Sequence, residues 1–211
     1  MNLTFPDRLI AEFDRGLKTL TKQSRQAQRN NPANQHPNDN LSEQDRLQSG
    51  RLMRVNHAGE IAAQGLYHGQ ALTAQSNEVL EQMHHSAKEE EDHLAWCEQR
   101  LNELQTPRSL IGPFWYFGSY AIGATAGLFG DKWSLGFVAE TEDQVEKHLE
   151  NHLQKISPID SRSRAIIEEM KSDEHHHGES ARNLGGASLP APIKSTMQLV
   201  SKLMTTGAYW I

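Results

Sequence analysis

The chain has 211 residues and a formal net charge of −6, with 27 acidic side chains against 21 basic ones, 11 histidines and a single cysteine. This length corresponds to one domain of ordinary size. One cysteine excludes an intramolecular disulfide and a cysteine-ligated zinc or iron–sulfur site, and an acidic balance without a basic block argues against nucleic acid as a partner.

The N-terminal region, residues 1–40, is predicted to be distinct from the rest of the chain. Apolar residues recur at helical spacing over 6–24, which predicts an amphipathic helix. The acidic residues in this region, and the lack of the continuous apolar stretch that a signal peptide has, argue against a secretion signal or a transit peptide there. Residues 23–40 are rich in Gln, Asn and Pro, which predicts a loose linker. The main domain is predicted to be 41–211.

Four long segments of this domain carry apolar residues at alternating three- and four-residue spacing, which is typical of a core-facing helix. Asp160, just after Pro158, is predicted to cap the start of the fourth segment, and Gly185 to end it. Small residues at 58–63 predict a close approach by a neighbour of the first segment. The segments cover about 44–75, 80–104, 135–156 and 167–184.

A further amphipathic helix is predicted after Pro190, where apolar residues from Ile193 to Met204 are spaced by four, three and four. No stretch shows the sustained two-residue alternation of a strand. The sequence therefore predicts an all-α fold, a four-helix bundle with extra helices.

Leu110–Gly130 differs from the other segments because its 21 residues include no charged side chain, five glycines and Pro113. The length and apolar character are those of a membrane span, but the glycines and the proline weaken a continuous helix. Three interpretations stay open: a membrane span, a segment at the membrane interface or an apolar mouth, and ordinary buried structure.

Three of the predicted helices place a glutamate on the core-facing stripe, at Glu90, Glu142 and Glu174. Burying an unpaired carboxylate costs roughly several kcal/mol, so a shared partner is expected. Glu90 and Glu174 each begin a Glu-x-x-His motif, and residues three apart lie on one face of a helix. His93 and His177 are therefore predicted to share the site.

A fourth carboxylate, Glu60, lies beside the apolar stripe of the first helix. It precedes Glu90 by 30 residues, and Glu142 precedes Glu174 by 32, which indicates two related helix pairs. Four glutamates and two histidines form the ligand set of two carboxylate-bridged metal ions in a four-helix bundle. Such ligands suit iron or manganese. The alternative is a set of solvated acidic helix faces.

Several other residues are given structural roles. A second Glu-x-x-His, Glu81 to His84, falls off the stripe and is predicted to lie at the surface. Cys97 lies on the stripe and is predicted to be a small buried hydrophobic residue rather than a reactive thiol. His175 and His176 are predicted to face solvent or to lie outside the ligand set, because one helix face accommodates only His177 with Glu174.

For His57 and His148 two interpretations stay open. Either residue could orient ligands or relay protons, and either could be an ordinary surface or hydrogen-bonded histidine. Trp96, Trp133 and Trp210 are predicted to be packing or interface residues.

Four segments carry a close resemblance to a known family. The sequence resembles the bacterial branch of the demethoxyubiquinone hydroxylases, which are ferritin-like di-iron monooxygenases of ubiquinone biosynthesis. The resemblance extends over about 42–211. Its motifs are Arg-Val-Asn-His-Ala-Gly-Glu at 54–60, Glu-Glu-Glu-Asp-His-Leu at 89–94, Val-Ala-Glu-Thr-Glu-Asp-Gln-Val-Glu-Lys-His-Leu at 138–149 and Asp-Glu-His-His-His-Gly at 173–178.

The resemblance implies a ferritin-like fold, two iron ions per chain and O2 as co-substrate. The implied substrate is 2-polyprenyl-3-methyl-6-methoxy-1,4-benzoquinol, hydroxylated in the penultimate step of ubiquinone synthesis. Glu142 is preferred to Glu140 because it alone lies on the apolar stripe. The resemblance assigns Glu60 and His93 to one iron, Glu142 and His177 to the other, and Glu90 and Glu174 to both as bridges.

A polyprenyl substrate resides in lipid, so we expect a peripheral protein at the cytoplasmic face of the bacterial cell membrane. Contact is expected through about 110–130, aided by an amphipathic helix. Other proteins of ubiquinone biosynthesis and a second copy of the chain are further expected partners. Two alternatives stay open: a ferritin- or rubrerythrin-like protein that oxidises iron or reduces peroxide, and a membrane-associated scaffold without catalysis.

Overall fold

The computed structural model describes residues 5–21, 27–37 and 40–211, and within these ranges the chain forms seven α-helices and no strand. The prediction of an all-α, ferritin-like four-helix bundle with additional helices is confirmed. Residues 22–26 and 38–39, which include the predicted end of the first helix and parts of the predicted linker, lie outside the described residues. The helices are α1 (Phe5–Thr21), α2 (Glu43–Thr73), α3 (Asn77–Glu103), α4 (Gly112–Leu128), α5 (Asp131–Lys155), α6 (Ser161–Asn183) and α7 (Ala191–Trp210).

The bundle consists of two helical hairpins, α2 with α3 and α5 with α6, joined by the crossover that contains α4. The two largest apolar clusters among the described residues lie towards its opposite ends. Between them α2, α3, α5 and α6 each contribute buried polar residues, so the bundle has a polar layer between two apolar ones. One cluster includes Met53, Trp96, Leu101, Ile166 and Met170, and the other includes Tyr67, Val79, Met83, Leu135 and Val138.

The helix boundaries follow from local capping. The side chains of Ser42, Ser76 and Asp160 each accept a hydrogen bond from a backbone N–H in the first turn of the helix that follows. Gly185, with φ of 95°, ends α6 in the left-handed conformation that favours glycine. The boundaries predicted at Asp160 and Gly185 are therefore confirmed.

The crossover helix α4 packs against α2 with backbone nearly touching backbone. A Cβ atom added to Gly69 would lie 2.1 Å from the carbonyl oxygen of Tyr120, and one added to Gly123 would lie 2.2 Å from the carbonyl oxygen of Leu66. No side chain fits in that space, so these positions require glycine. On each helix, two glycines four residues apart line the contact: Gly65 and Gly69 on α2, and Gly123 and Gly127 on α4.

The sequence predicted close helix packing earlier in α2, at 58–63. Ala58 is fully buried and packs with Ala208 of α7. A Cβ atom on Gly59 would meet no neighbouring atom within 4 Å, so the prediction is wrong at this position. The close contact lies further along α2 because α4, rather than a helix of the bundle, makes it.

The outer side of α4 is apolar. Phe114, Phe117 and Leu128 are exposed, as is Phe129 just after the helix. None of the helices in the described part of the chain combines the length and the apolar character that a membrane crossing requires.

Helix α1 is amphipathic, as the sequence predicts, but its apolar side faces outward. Ile10 and Phe13 are 69% and 60% exposed, whereas Glu12 between them is only 3% exposed. The inward Glu12 carboxylate lies 3.1 Å from Nε2 of His84 on α3 and pairs with Arg15. The helix therefore docks on the bundle through these polar contacts and through Leu20, which packs against a small apolar cluster, and leaves most of its large apolar residues uncovered.

Residues 27–37, which we term the N-terminal strap, lie across α3 and α6 and include a 3₁₀ helix at Pro32–Gln35. Ala33 is 1% exposed and belongs to the core. Asn31 donates a hydrogen bond to the side chain of Gln99 on α3, with 3.0 Å between Nδ2 and Oε1. The prediction of a loose linker is wrong for this segment, because a few contacts with α3 and α6, which are distant in the chain, hold a polar sequence against the bundle.

Candidate metal centre

The structure brings all six predicted ligands together in the polar layer of the bundle. Each is at most 4% exposed. Their ligand atoms form two groups that could each hold a metal ion, with all atoms of a group within 4.8 Å of one another, and Glu174 belongs to both. One group contains Glu60, Glu90, His93 and Glu174, and the other contains Glu142, Glu174 and His177.

Glu90 and Glu174 each reach both histidines. The two oxygens of Glu90 lie 2.8 Å from Nδ1 of His93 and 3.2 Å from Nδ1 of His177. The oxygens of Glu174 lie 3.5 Å and 3.4 Å from the same two nitrogens. Each carboxylate therefore presents one oxygen to each half of the site, which is the arrangement that a bridging carboxylate needs. Glu60 stands on the His93 side, 3.8 Å from its Nδ1.

The outer nitrogen of each histidine is held by a carboxylate from the opposite hairpin. Nε2 of His93 lies 2.8 Å from Oδ2 of Asp173, and Nε2 of His177 lies 2.8 Å from Oε2 of Glu89. A histidine whose Nε2 donates to a carboxylate keeps its Nδ1 lone pair for a metal. Hydrogen bonds from His93 and Arg29 hold the pKa of Asp173 at about 2, against the raising effect of its burial.

The electrostatics of the layer fit a cation. Burial, followed by repulsion from neighbouring carboxylates, raises the pKa of Glu60 and of Glu142 well above the usual value. Oε1 of Glu90 is buried and accepts no hydrogen bond. Four clustered carboxylates with two imidazoles suit two divalent ions of the harder first-row metals. The residues present therefore fit a di-iron group.

Tyr67 is a further buried member of the site. Its hydroxyl donates a hydrogen bond of 2.5 Å to Oε1 of Glu142. Burial, followed by repulsion from the Glu142 carboxylate, raises the pKa of Tyr67 well above the usual value, so this phenol keeps its proton. This hydrogen bond satisfies one lone pair of the buried Glu142 carboxylate.

A small cavity of about 40 Å³ opens beside the ligands. Its wall includes Glu60, Glu142 and Glu174 from the bundle, and its other side is formed by α7, including Met204 and Thr205. Access to the metal layer therefore lies between α2 and α5, under α7.

A larger apolar cleft of about 540 Å³ lies elsewhere, between α4, the start of α5 and the start of α7. Its lining includes Ile122, Phe129, Phe137 and Ile193, and none of the six ligands. The chemistry is therefore assigned to the smaller cavity, which reaches the carboxylates. The two spaces are both bordered by α5 and α7.

His57 and His148, for which two interpretations stood open, have different surroundings. Nε2 of His57 is 3.4 Å from Oε1 of Glu98, so this buried histidine pairs with a residue outside the ligand set. His148 lines the small cavity, and its ring centroid is 3.9 Å from that of His152. Burial lowers the pKa of His148 to about 4, so the ring is neutral at physiological pH. A role of His148 in proton transfer stays a prediction.

The residues given structural roles lie outside the ligand set. Glu81 is exposed and His84 contacts α1, so this Glu-x-x-His lies off the site. Cys97 is fully buried, as predicted, with Sγ 3.9 Å from Sδ of Met170. His175 and His176 are exposed.

Glu140, the alternative to Glu142, points away from the metal layer. Its Oε2 lies 2.6 Å from Nζ of Lys194 on α7. Trp96 is buried beside His93, with ring centroids 5.4 Å apart, whereas Trp133 and Trp210 are 42% and 65% exposed.

Sequence reasoning missed four residues that contact the ligands or their outer partners. Glu89 and Asp173 each stand directly before the glutamate of a Glu-x-x-His motif, and this shared position was a signal available in the sequence. Tyr67 follows Glu60 by seven residues, or two helical turns, which places both on one face. Arg29 carried no comparable signal, because it lies in the strap.

Comparison with known proteins places this arrangement in a family. Residues 48–208 match the family described as Ubiquinone biosynthesis protein COQ7. A 3-demethoxyubiquinol 3-hydroxylase of Nitrosococcus oceani is 55% identical over 205 residues, covering 97% of this chain and 96% of the relative. Those of Polynucleobacter necessarius and Acinetobacter baylyi are each 52% identical, covering 97% of this chain and 98% and 97% of the respective relatives.

Proposed function

Because this chain belongs to the family of Ubiquinone biosynthesis protein COQ7, we propose that it is a 3-demethoxyubiquinol 3-hydroxylase, a monooxygenase of ubiquinone biosynthesis. Its substrate is 2-polyprenyl-3-methyl-6-methoxy-1,4-benzoquinol, which it hydroxylates with O2 at the free ring carbon. The observation that carries the proposal is the pair Glu90 and Glu174, each with one oxygen directed to each of two histidines.

In this proposal the six clustered residues hold two iron ions. Glu60 and His93 would hold one ion, Glu142 and His177 would hold the other, and Glu90 and Glu174 would contribute to both halves. The iron pair supplies the redox chemistry that activates O2 for insertion into the ring. The two sets of ligand atoms, and the buried oxygen of Glu90 that accepts no hydrogen bond, support this assignment.

The protein itself orients the ligands and excludes water. Asp173 and Glu89 hold the outer nitrogens of the two ligand histidines, and the Tyr67 hydroxyl holds Glu142. The apolar layers on either side of the site separate it from solvent. His148, neutral and at the cavity wall, is placed to accept or return a substrate hydroxyl proton.

Substrate entry requires α7 to move. The cavity beside the ligands, at about 40 Å³, has room for one or two water molecules and not for a substituted benzoquinol ring. Of the helices that line this cavity, α7 is the one that can move, because the others belong to the four-helix bundle. We propose that the ring enters when α7 shifts, and that the polyprenyl tail lies in the apolar cleft that α7 also borders.

The function is tested by lipid-quinone profiling. A deletion strain should accumulate demethoxyubiquinone, and the wild-type gene should restore ubiquinone. The purified iron-loaded protein, given demethoxyubiquinol, O2 and a reductant, should form the hydroxylated quinol. Rapid Fe(II) oxidation or peroxide consumption without hydroxylation would instead support a ferritin- or rubrerythrin-like activity, and normal rescue by ligand variants would support a scaffold.

We further propose that the protein works at the cytoplasmic face of the cell membrane, bound peripherally through α4. Phe114 and Phe117 on its outer side are 68% and 53% exposed, and a polyprenyl substrate is delivered from lipid. The outward apolar residues of α1, Ile10 and Phe13, support a docking surface wider than the predicted 110–130.

Replacing Phe114 and Phe117 together with serine should weaken binding to phosphatidylethanolamine–phosphatidylglycerol vesicles by at least about tenfold, because each buried phenyl ring contributes roughly 1.5–3 kcal/mol. Vesicle co-sedimentation measures this change. Ile159→Ser is the control, since Ile159 is 62% exposed between α5 and α6 rather than on α4. Equal binding by the double variant and the wild type would contradict the proposed surface.

A further inference from the structure

The N-terminal strap holds one arginine between α3 and α6. The carboxylate of Asp92 accepts hydrogen bonds from the backbone N–H groups of Gln28 and Arg29, with N···O distances of 2.6 and 3.4 Å. Nε of Arg29 donates to the same carboxylate at 3.3 Å, and the guanidinium lies 4.8 Å from the ring centroid of Trp96. The position of Arg29 is therefore fixed by α3 on several sides.

From this position the guanidinium reaches across to α6. Nη1 of Arg29 donates to Oδ1 of Asp173 at 3.2 Å, and Nη2 donates to Oδ2. A bidentate contact of this kind fixes the plane of a carboxylate as well as its position. The same Oδ2 of Asp173 accepts from Nε2 of His93 at 2.8 Å. Arg29, Asp173 and His93 thus form a continuous chain of polar contacts into the metal layer.

The other half of the site has a looser outer contact. Glu89, which holds His177, is 30% exposed, against 14% for Asp173. Its second contact is with the exposed ring of His85 at 3.6 Å. The two hairpins supply equivalent inner ligands, but the strap's arginine hydrogen-bonds to Asp173, the outer partner of His93, and not to Glu89.

We propose that Arg29 is a positioning residue that fixes the ring of His93 through Asp173 and makes the His93 half of the centre hold its metal more tightly than the His177 half. The inference rests on the proposed function, in that the six ligands bind two irons. Arg29 precedes residue 48, where the match to the family model begins.

The test uses the full-length protein loaded anaerobically with ⁵⁷Fe(II). In the wild type, iron release to a chelator should show two phases of similar amplitude, and the Mössbauer spectrum two ferrous doublets. In Arg29→Met the slow phase should accelerate by about tenfold, the lower end of the effect of losing a partner of a metal-binding histidine. The fast phase should stay unchanged, and one doublet should change.

Two further variants and a control sharpen the test. Asp173→Asn should accelerate the same phase. Arg29→Lys should restore part of the slow release, because one ammonium keeps the charge but cannot form the bidentate contact. Arg182→Met is the matched control, because it also removes an arginine–aspartate contact but one outside the site. Nη1 of Arg182 on α6 donates to Oδ1 of Asp143 on α5 at 2.9 Å. This control should release iron as the wild type does.

Each outcome decides the proposal. If the Met and Lys variants release iron at wild-type rates, or if both phases accelerate equally, Arg29 does not position one half and the inference is overturned. If Arg29→Met fails to fold, by circular dichroism, the milder Lys variant decides. If wild-type protein binds no iron, the proposed function fails and the inference with it. If the wild type binds two irons tightly and the Arg29 variants behave like it, the inference is overturned but the proposed function is not.

Discussion

Glu174→Gln is expected to abolish iron binding in both halves of the centre and to lower hydroxylation by more than about a hundredfold, since even an outer partner of a ligand contributes up to that factor in affinity. Glu174 is the residue that both groups of ligand atoms share. The metal-free protein should change little in stability, because Glu174 repels the Glu60 and Glu142 carboxylates, raising their pKa values, but also interacts favourably with His93 and His177, whose pKa values it raises as well. Iron content, turnover and thermal unfolding without metal measure the three effects.

Glu140→Gln is the matched control for this prediction. Glu140 lies two residues from Glu142 on α5 but pairs with Lys194, so its variant should keep iron binding and turnover. The assignment would be wrong if Glu174→Gln retained two irons, or if the two variants lost activity to the same extent. A large change in metal-free stability with Glu174→Gln would show that the repulsion between carboxylates and the attraction to the two histidines do not offset each other at this residue.

Gly69→Ala is expected to lower the melting temperature of the protein by roughly 5–10 °C, which corresponds to a net loss of about 2–3 kcal/mol for a chain of this size. Helix propensity alone predicts the opposite sign, since alanine is favoured over glycine by about 1 kcal/mol in a helix. The added Cβ, however, would lie 2.1 Å from the carbonyl oxygen of Tyr120 and 2.7 Å from the backbone nitrogen of Ala124. Backbone atoms of α4 cannot rotate away, so the two helices must separate along their contact.

Gly118→Ala provides the comparison. Gly118 is an exposed glycine of α4, where a Cβ would meet no neighbouring atom within 4 Å, so the propensity gain should appear as equal or higher stability. Thermal unfolding followed by circular dichroism measures both variants. Equal stability of the two would mean that the helices accommodate a methyl group and that the packing of α4 on α2 is looser than the structure indicates.

The bundle and most of the metal layer were predictable from periodicity. Glu90, Glu142 and Glu174 occupy positions where the three- and four-residue spacing requires a buried residue, so their charge indicated a buried partner. Glu60 was less secure because it lies beside the apolar stripe. The structure explains its burial: α1, α3, α4, α5 and α7 all contact α2, so most of the long middle of this helix is enclosed and its apolar stripe is not its only buried face.

What could not be predicted depends on contacts between distant parts of the chain. The strap has a polar sequence typical of a linker, and its order comes from single contacts such as Ala33 in the core and Arg29 between two helices. The outward face of α1 was likewise hidden, because an amphipathic pattern shows that a helix has two faces but not which one meets the protein. Glu12 settles that orientation by its contact with His84.

The crossed outer contacts of the two histidines have a bearing on the origin of the fold. His93 of the first hairpin contacts Asp173 of the second, while His177 of the second contacts Glu89 of the first. In each hairpin the carboxylate residue precedes the histidine by four residues. Reciprocal contacts between equivalent positions characterise a twofold dimer interface. The bundle thus retains the symmetry of two copies of one hairpin, an arrangement that gene duplication and fusion would produce. In such an ancestral dimer neither copy alone could have completed a metal site.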